Sequence, residues 1–354
     1  MFKFIFIFLF PIISFCTPIK DWTVVIFMNG DNNLCESTKK DINELRKYEA
    51  KAANIILVYD CDKENDSAIY EIHSWWNNKK DITKKFTNLT EFDMGDSKFL
   101  EEISIKLFEA YPSRDRMLIL WDHGSGWVDY KSNAYTKGIS YDIQSGHFIT
   151  TPELGEAIRN ISKKQHITIL GFDSCLMQMA EVIYEFAEEV DYTIGSEETI
   201  PTSGWDYRAL SYSLSCEGMN PWGIGLFITD WYRKSIATDT GTTMSMIDNK
   251  KFLKFIEKLK ELVKRLENID LSSFLIDIPF YKNEDNKDLG YLLNKIPKKY
   301  LYNEYFEYLQ TVVLNKATKP ATGVSIYFPN SNFNESYLKL KFAQDTQWFK
   351  LFKQ

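Results

Sequence analysis

Four runs of mainly apolar residues, interrupted only by Thr23 and Thr168, organise this chain. They cover residues 22–28, 55–59, 117–121 and 167–170, and each is followed by polar residues. Runs of this length, rich in branched side chains, are typical of strands that are buried on both faces. Elsewhere apolar residues recur at helical spacing, which predicts helices at 37–48, at 100–111 and immediately after Cys175. Strands that alternate with helices predict a three-layer α/β fold with a mostly parallel sheet.

The pattern predicts further elements along the rest of the chain. Residues 68–76 indicate an edge strand or hairpin. The sequence Thr151-Pro152-Glu153 predicts a helix start, with threonine as the cap and proline in the first turn, and the helix is expected to run to about Asn160. Between the two motif strands, 128–148 is polar and is expected to form a surface loop or a short exposed hairpin.

The C-terminal third is predicted to be helical and then mixed. Residues 251–269 have a clean amphipathic period, and shorter helices are expected at 289–293 and 302–314. A late strand is expected at 325–329, where proline ends it. We therefore expect a main α/β domain at 20–245 and a mixed α/β subdomain at 246–354 that braces it.

The N-terminal segment is predicted to be a secretory signal peptide at 1–19. A short basic leader, Met1-Phe2-Lys3, precedes an almost wholly apolar stretch at 4–15. That stretch is too short to cross a bilayer, since a spanning helix requires about 20 residues. The mature protein is accordingly expected to be secreted or extracytoplasmic, without stable insertion in a membrane.

Composition narrows the class of protein. A hydrophobic content of 44% excludes a disordered chain, and a net charge of −7 argues against a nucleic acid or an anionic membrane as partner. Four cysteines remain after removal of the predicted leader, which are too few to build a disulfide scaffold in a chain this long. Any two of them could still form one bridge: Cys35, Cys61, Cys175 and Cys216.

Two strand ends carry candidate catalytic residues. The strand at 117–121 is followed by Asp122 and His123, and the strand that begins at 167 is followed by Ser174 and Cys175. In an open α/β sheet, ligands bind at the carboxyl ends of the strands, so both side chains are expected at one site. A helix starting at Cys175 would stabilise its thiolate. The hypothesis is a cysteine nucleophile with a histidine base; from the residues alone, a buried structural thiol is an equally good interpretation.

Aspartates also gather at the predicted strand ends, namely Asp31, Asp60, Asp62, Asp122 and Asp173. Hard cations are bound by several carboxylate and carbonyl oxygens, so a calcium site is conceivable here. No EF-hand loop is present, and aspartates at strand ends more often serve turns. We expect no required cofactor and no catalytic metal, with calcium as an open alternative.

Several motifs together resemble the clostripain family of cysteine peptidases, whose catalytic domain has the caspase-like fold. The matching stretches are WTVVIFMNGDNNL (22–34), LILWDHGSGW (118–127), GFDSCLM (171–177), SEETIPTSGWDY (196–207) and GVSIYFP (323–329). The resemblance implies a Cys175–His123 dyad, with an oxyanion hole formed by the backbone N–H groups of Gly124 and Cys175. It also implies that Asp173 selects arginine or lysine before the cut bond, because a carboxylate pairs with either cation.

The resemblance suggests two further sets of residues. Ser196, Glu197, Trp205 and Asp206 are expected to wall the same specificity pocket. Family members are activated by cleavage between the two catalytic strands, and a peptidase selecting basic residues needs an exposed lysine there. Lys131 and Lys137 qualify, and Lys137 is preferred because Gly138 follows it.

Alternative functions remain open at this point. The chain could be a catalytically silent caspase-fold module for binding or adhesion, since fold does not fix function. It could also be a related peptidase with another specificity, although an acidic substrate side chain would be repelled by Asp173. Ser125 lacks the full nucleophile motif, and His73, His147 and His166 are expected to be surface groups. The expected partners are protein or peptide substrates containing arginine or lysine, and the expected state is a monomer.

Overall fold

The computed structural model describes residues 19–73, 79–129, 137–236, 241–271, 274, 277–330 and 332–352. The predicted signal peptide therefore lies, except for Ile19, outside the described residues. Within them, the strands are β1 (Lys20–Asn29), β2 (Ala53–Asp60), β3 (Ala68–Glu71), β4 (Lys80–Asp81), β5 (Ser113–Trp121), β6 (Gly124–Asp129), β7 (Lys137–Ile139), β8 (Ile167–Asp173), β9 (Val190–Gly195), β10 (Thr243–Asp248), β11 (Asn286–Asp288), β12 (Val312–Ala317) and β13 (Ser325–Tyr327). The α-helices are α1 (Cys35–Leu45), α2 (Thr83–Phe86), α3 (Ser97–Ala110), α4 (Thr151–Lys164), α5 (Ala180–Phe186), α6 (Tyr207–Ser215), α7 (Pro221–Ser235), α8 (Asn249–Leu266), α9 (Leu289–Lys295), α10 (Glu304–Thr311) and α11 (Lys341–Thr346).

A large central sheet carries the fold. In the described part of the chain its order is β12-β10-β9-β8-β5-β1-β2-β3-β4. The five central strands, from β9 to β2, pair in parallel, whereas the strands at both edges pair antiparallel. Because the central strands are parallel, the carboxyl ends of β1, β2, β5 and β8 meet at one edge of the sheet.

Alternating side chains build a core on each face of this sheet. In β1, Val25 and Phe27 pack with residues of α3, α4 and α8, while Val24 and Ile26 pack on the opposite face with residues of α1, α6 and α7. These strand residues are at most 1% exposed. Burying each large apolar side chain contributes about 1.5–3 kcal/mol, so both faces of the strands stabilise the fold. The predicted three-layer α/β architecture is confirmed.

Two helix predictions need correction at their ends. The cap of α4 is Thr150, one residue before the predicted cap, because its side chain and that of Glu153 form a reciprocal capping box. The helix then continues to Lys164 rather than ending near Asn160. The predicted helix at 302–314 ends at Thr311, since the following residues form β12 and pair with β10. Pairing with a sheet edge overrides the local helical pattern there.

The C-terminal third shares the main sheet. The boundary predicted at 245 falls inside β10, and β12 extends the sheet beyond it. The predicted late strand exists as β13, but it pairs with β11 in a separate two-stranded sheet. The division into two parts stays a prediction, and the two parts share one continuous sheet.

One disulfide is present in the described residues. Cys35, the first residue of α1, is bonded to Cys61, which follows β2, and their Cα atoms are 5.2 Å apart. Cys175 and Cys216 are free thiols. The bridge therefore leaves the candidate nucleophile unmodified and fixes the start of α1 against the end of β2.

Candidate active site

His123 and Cys175 lie at the same edge of the sheet because their strands are adjacent. Trp121, which ends β5, pairs in register with Asp173, which ends β8. Each candidate residue follows two positions later, so both side chains line one cavity of about 170 Å³. The same cavity is also lined by Leu34, Trp121, Asp122, Asp173, Ser174, Ile200, Pro201, Thr202 and Gly204. The predicted juxtaposition of histidine and cysteine is thus found in this structure.

The Cys175 thiol is half-buried and lies against a backbone amide. Its Sγ accepts a hydrogen bond from the N–H of Ile200 at 3.2 Å. Burial raises the pKa of the Cys175 thiol to about 11, and the charges of Asp173, Glu198 and Asp122 act in the same direction. The uncharged thiol is therefore the resting form at neutral pH.

The prediction that a helix starts at Cys175 was wrong. Helix α5 begins at Ala180, and the intervening residues form a turn in which Leu176 has a φ of 61°. The helix-end field decays within about one turn, so it does not stabilise a thiolate at Cys175. Hydrogen bonds from Leu176 N–H to Glu198 O and from Gln178 N–H to Ser196 O hold this turn instead.

The His123 imidazole is half-buried and is oriented by a residue that the sequence did not indicate. Its Nε2 lies 2.8 Å from Asn33 Oδ1. An amide oxygen only accepts, so Nε2 carries the hydrogen and Nδ1 is the basic nitrogen. Burial lowers the pKa of His123, which keeps the ring neutral at neutral pH. No hydrogen bond joins His123 to Cys175 in the described residues; both groups are uncharged and face the same cavity.

Asp122, adjacent to His123, has a structural role. Its carboxylate accepts hydrogen bonds from Asn32 Nδ2 at 2.7 Å and from the N–H of Tyr141. The side chain is 4% exposed, and burial raises its pKa. It ties the end of β5 to the turn after β1 and to the segment after β7.

Gly124 lies against the backbone of Cys175. A Cβ atom at Gly124 would be 2.5 Å from the carbonyl oxygen of Cys175, which is closer than any real side chain allows. Glycine is therefore required by this contact. The approach places the backbone of Gly124 beside Cys175, as an oxyanion hole shared by the two residues would need.

Asp173 lines the cavity as a nearly buried carboxylate. It accepts a hydrogen bond from the N–H of Trp205 at 3.1 Å through Oδ2, and the nearby Tyr207 hydroxyl interacts with the same carboxylate. Burial raises the pKa of Asp173 to about 7. Gly204 covers the carboxylate closely, since a Cβ there would lie 2.9 Å from Oδ2.

A second carboxylate, that of Asp41, lies behind Asp173. It is 1% exposed, and its Oδ2 accepts a hydrogen bond from Trp121 Nε1 at 2.8 Å. Burial raises its pKa to about 8, and the charge of Asp173 adds to that increase. The negative potential at this end of the cavity therefore develops as the pH rises, first as Asp173 loses its proton near pH 7 and then as Asp41 does near pH 8. The sequence analysis missed Asp41 because it lies inside α1, where it resembles an ordinary surface acid.

The four residues expected to wall the pocket are absent from the described lining of this cavity. Ser196 hydrogen-bonds Thr243, Glu197 accepts from the Tyr281 hydroxyl at 2.8 Å, Trp205 packs in the core, and Asp206 caps α6 through the N–H of Arg208 and Ala209. Each is buried in contact with another element. Four neighbouring residues of the same motif line the cavity in their place, namely Ile200, Pro201, Thr202 and Gly204.

One of the two candidate cleavage sites, Lys137, lies in the paired strands β6 and β7. Lys131 is outside the described residues. Lys137 is the first residue of β7 and pairs with Asp129 of β6. Gly138 has a φ of 60°, and a Cβ there would lie 2.0 Å from Ile149 O, so its backbone is packed. The 128–148 interval is therefore partly a hairpin rather than an open loop.

The aspartates considered for a metal separate into distinct environments. Asp122 and Asp173 border the cavity, and Asp62 is exposed. Asp31 and Asp60 instead lie together with Asp142, and these three carboxylates could hold a cation. Asp142 was missed because it lies in the polar interval, where its burial has no signal in the sequence.

The remaining histidines are surface groups as expected. His147 pairs with Asp93 at 2.5 Å, and His166 pairs with Asp191 at 3.0 Å, both with exposed rings. Neither reaches the cavity. Ser125 is 3% exposed and donates to Val128 O, so it is not presented as a nucleophile.

Comparisons with known proteins agree on one family. Residues 26–319 match the model of the clostripain family. A curated relative, clostripain from Hathewaya histolytica, is 25% identical over 186 residues, which cover 46% of this chain and 35% of that protein. The aligned region thus spans about a third of the length of this relative.

Two solved structures share the fold. A secreted C11 cysteine protease from Bacteroides thetaiotaomicron, in complex with an irreversible peptide inhibitor, is 20% identical with a TM-score of 0.75. An inactive zymogen C11 protease from Parabacteroides distasonis is 18% identical, also with a TM-score of 0.75. Each match covers 93% of this chain and 99% of the other. Among the described residues, no helix has the length and apolar character needed to cross a bilayer. With a family match across most of its length and a caspase-like fold, this chain belongs to the clostripain family.

Proposed function

We propose that this protein is a secreted cysteine endopeptidase that cleaves after arginine or lysine through a Cys175–His123 dyad. The observation that carries the proposal is that both side chains line one cavity together with the carboxylate of Asp173. The disulfide between Cys35 and Cys61 supports an extracytoplasmic location, because such bonds persist in oxidising compartments. Protein or peptide segments with basic residues are the proposed substrates.

The protonation states of the two residues determine how attack begins. Both are uncharged at rest, since burial raises the pKa of Cys175 and lowers that of His123. His123 Nδ1 therefore takes the thiol proton as Sγ attacks the substrate carbonyl carbon. The oxyanion that forms is stabilised by the N–H groups of Gly124 and Cys175. His123 then gives its proton to the leaving amine, and water, deprotonated by the same ring, hydrolyses the thioester.

Asn33 is proposed to position His123 through the bond between its Oδ1 and Nε2. Replacing Asn33 with alanine is expected to lower kcat about 10- to 100-fold with little change in KM, because the ring loses its fixed tautomer and orientation. Asn33→Asp retains an acceptor at the same place, and its charge would raise the pKa of His123. Steady-state kinetics across pH should therefore show partial recovery of kcat and an acidic limb moved to higher pH. Equal losses in both variants, with unchanged pH profiles, would contradict a positioning role.

Specificity for a basic side chain is proposed to come from Asp173, with Asp41 adding to the potential. A substrate cation entering the cavity would meet the Asp173 carboxylate, which has the Trp205 N–H as its backbone donor and lies near the Tyr207 hydroxyl, and which can accept a further donor. A guanidinium or ammonium group supplies that donor together with an opposite charge. An acidic substrate side chain would instead be repelled by ionised Asp173, and above pH 8 by Asp41 as well, so preference for acidic residues is disfavoured.

A panel of fluorogenic peptides that differ only in the residue before the cut tests this function. The expected result is rapid hydrolysis after arginine and lysine, and slow hydrolysis after alanine and aspartate. Hydrolysis after aspartate at a comparable rate would assign a different specificity. Complete inactivity of properly folded and processed protein would favour a catalytically silent binding module.

Self-cleavage between the catalytic strands is proposed as the activation step, after Lys137 by preference and after Lys131 as the alternative. Cleavage after Lys137 would create a new chain end at Gly138, within β7. Strand β7 pairs with β6, whose first residue is Gly124. Because Lys137 is paired in β7, that short pairing must open before the chain can enter an active site. The two pieces are expected to stay associated through the sheet and its cores.

Denaturing gels and intact mass measurements detect this cleavage. Wild-type protein should split into two fragments, Cys175→Ala should remain whole, and Lys137→Ala should split slowly or after Lys131. Lys163→Ala, a matched change in helix α4, should split as the wild type does. A single-chain wild type with full activity would contradict the proposal.

A further inference from the structure

A lysine of helix α1 lies beside the acidic end of the cavity. Lys40 precedes Asp41 in the chain, and its Nζ lies 3.5 Å from Asp41 Oδ1. The same Nζ lies 3.3 Å from an oxygen of Glu44, one turn further along α1. The side chain of Lys40 is 49% exposed, whereas that of Asp41 is 1% exposed. The protein therefore supplies a half-exposed positive charge of its own next to the buried acid.

Lys40 also contacts the segment that walls the cavity. Its Nζ donates a hydrogen bond to the carbonyl oxygen of Ser203 at 2.8 Å. The two neighbours of Ser203 in the chain, Thr202 and Gly204, both line the cavity. The ammonium group is therefore close enough for a basic substrate side chain in this cavity to be affected by its charge.

The charge of Lys40 opposes that of the acids around it. The strongest charges that act on Asp41 are those of Asp173, Lys40 and Glu44, and the charges of Lys40 and Glu44 also act on Asp173. Of these groups, Lys40 alone is positive, so it lowers the pKa of both aspartates, whereas burial raises it. Further titratable groups face this pair from β5, β8 and α6, namely Asp122, His123, Cys175 and Tyr207.

We propose that Lys40 is a specificity-determining residue, which limits the attraction of the cavity for basic side chains at high pH and moves the onset of that attraction to lower pH. This inference rests on the proposed function, because it concerns the preference for arginine and lysine. Both effects follow from one charge. When the acids are ionised, the ammonium group repels a substrate cation nearby. At lower pH the same charge favours the ionised carboxylates that attract the substrate.

Lys40→Gln tests the inference, because it removes the charge and keeps an amide donor for the Ser203 carbonyl. Values of kcat and KM are measured across pH, in about 0.1 M salt, for an arginine peptide and an otherwise identical alanine peptide. The selectivity ratio is kcat/KM for the arginine peptide divided by kcat/KM for the alanine peptide. Effects of pH on the shared dyad cancel in this ratio.

The variant should select arginine more strongly at high pH. At about pH 9 its selectivity ratio should exceed that of the wild type by about 2- to 5-fold, through a lower KM, since one nearby half-exposed charge has an effect of this size. This excess should shrink as the pH falls, because the aspartates bind protons more readily without the lysine. The midpoint of the rise in the ratio should lie about half a pH unit higher than in the wild type.

Two further variants serve as controls. Lys40→Arg keeps the charge, so its selectivity ratio should follow that of the wild type across the pH range. Lys39→Gln removes the same charge from the next residue of α1, which is 61% exposed and pairs with Glu36. Its ratio should also follow that of the wild type.

A purely structural role of Lys40 would give a different result. Loss of the contact with Ser203 alone would lower kcat/KM for both peptides alike at every pH, and this outcome would overturn the inference. An unchanged ratio in Lys40→Gln, or an equal change in Lys39→Gln, would overturn it as well. A wild type that hydrolyses the arginine and alanine peptides equally well would instead contradict the proposed function, and the inference with it.

Discussion

Replacing Cys175 with alanine is expected to abolish peptide hydrolysis while leaving the fold intact. The thiol supplies the attacking atom, and Cys175 is the free cysteine that lines the cavity. His123→Ala should be almost as inactive, because the neutral thiol cannot lose its proton without a base. Losses on the order of 10⁴-fold or more in kcat are typical when either member of such a pair is removed. The double variant should be no worse than either single variant, since the two residues act as a unit.

Cys216→Ala is the matched control for the nucleophile. Cys216 is the second free thiol, and it lies at the end of α6 with its Sγ near Tyr212 O. Its removal should leave kcat and KM unchanged. Circular dichroism and melting temperature would establish that all variants are folded. Normal hydrolysis of a basic peptide by folded Cys175→Ala would contradict the proposed nucleophile.

Asp173→Asn is expected to remove most of the preference for basic residues. Loss of a charged hydrogen bond costs roughly 1.5–3 kcal/mol, which corresponds to roughly a 10- to 150-fold loss in kcat/KM for arginine and lysine peptides. Hydrolysis of an alanine peptide should change little. The pKa of Asp173 near 7 adds a pH dependence, because the carboxylate is protonated below that value. In the wild type, the ratio of basic to neutral peptide hydrolysis should fall as pH drops below about 7, and in the variant it should stay flat.

Asp206→Asn controls for a general effect of removing an acid from this region. Asp206 caps α6, and asparagine caps a helix nearly as well, so both stability and selectivity should be kept. Alkylation of Cys175 by a small reagent should proceed at similar rates in the wild type and Asp173→Asn. Equal losses for basic and neutral peptides in Asp173→Asn would assign that residue a structural role.

The sequence predicted the parts of the site that periodicity and strand ends determine. His123 and Cys175 could be placed together because each follows an apolar run, and parallel strands bring their carboxyl ends to one edge. The family resemblance, rather than periodicity, implied that Gly124 lies near Cys175, and it is found there. In the same way, alternation along β1 and the runs at β2, β5 and β8 were enough to predict the layered fold.

The remaining parts of the site depend on contacts between segments that are far apart in the sequence. The pattern of apolar and polar residues along one sequence does not reveal such contacts. Asn33 lies 90 positions from His123, and its role becomes visible only from the 2.8 Å contact. Asp41 and Asp142 resemble surface acids in the sequence, although both are 1% exposed. The helix after Cys175 was placed too early, because apolar spacing at Met179 and beyond does not reveal the turn before Ala180. The four residues predicted to wall the pocket do not line it for a similar reason, since a motif does not indicate which of its side chains face the cavity.

Covalent trapping tests the central proposal most directly. A peptide chloromethyl ketone ending in lysine requires a nucleophilic thiol, a basic-specific pocket and a productive geometry in one reaction. Intact mass and peptide mapping should show a single adduct on Cys175 in the wild type, slow labelling in Asp173→Asn and none in Cys175→Ala. An adduct on Cys216, or rapid peptide hydrolysis by protein that the lysine reagent cannot modify, would contradict the account.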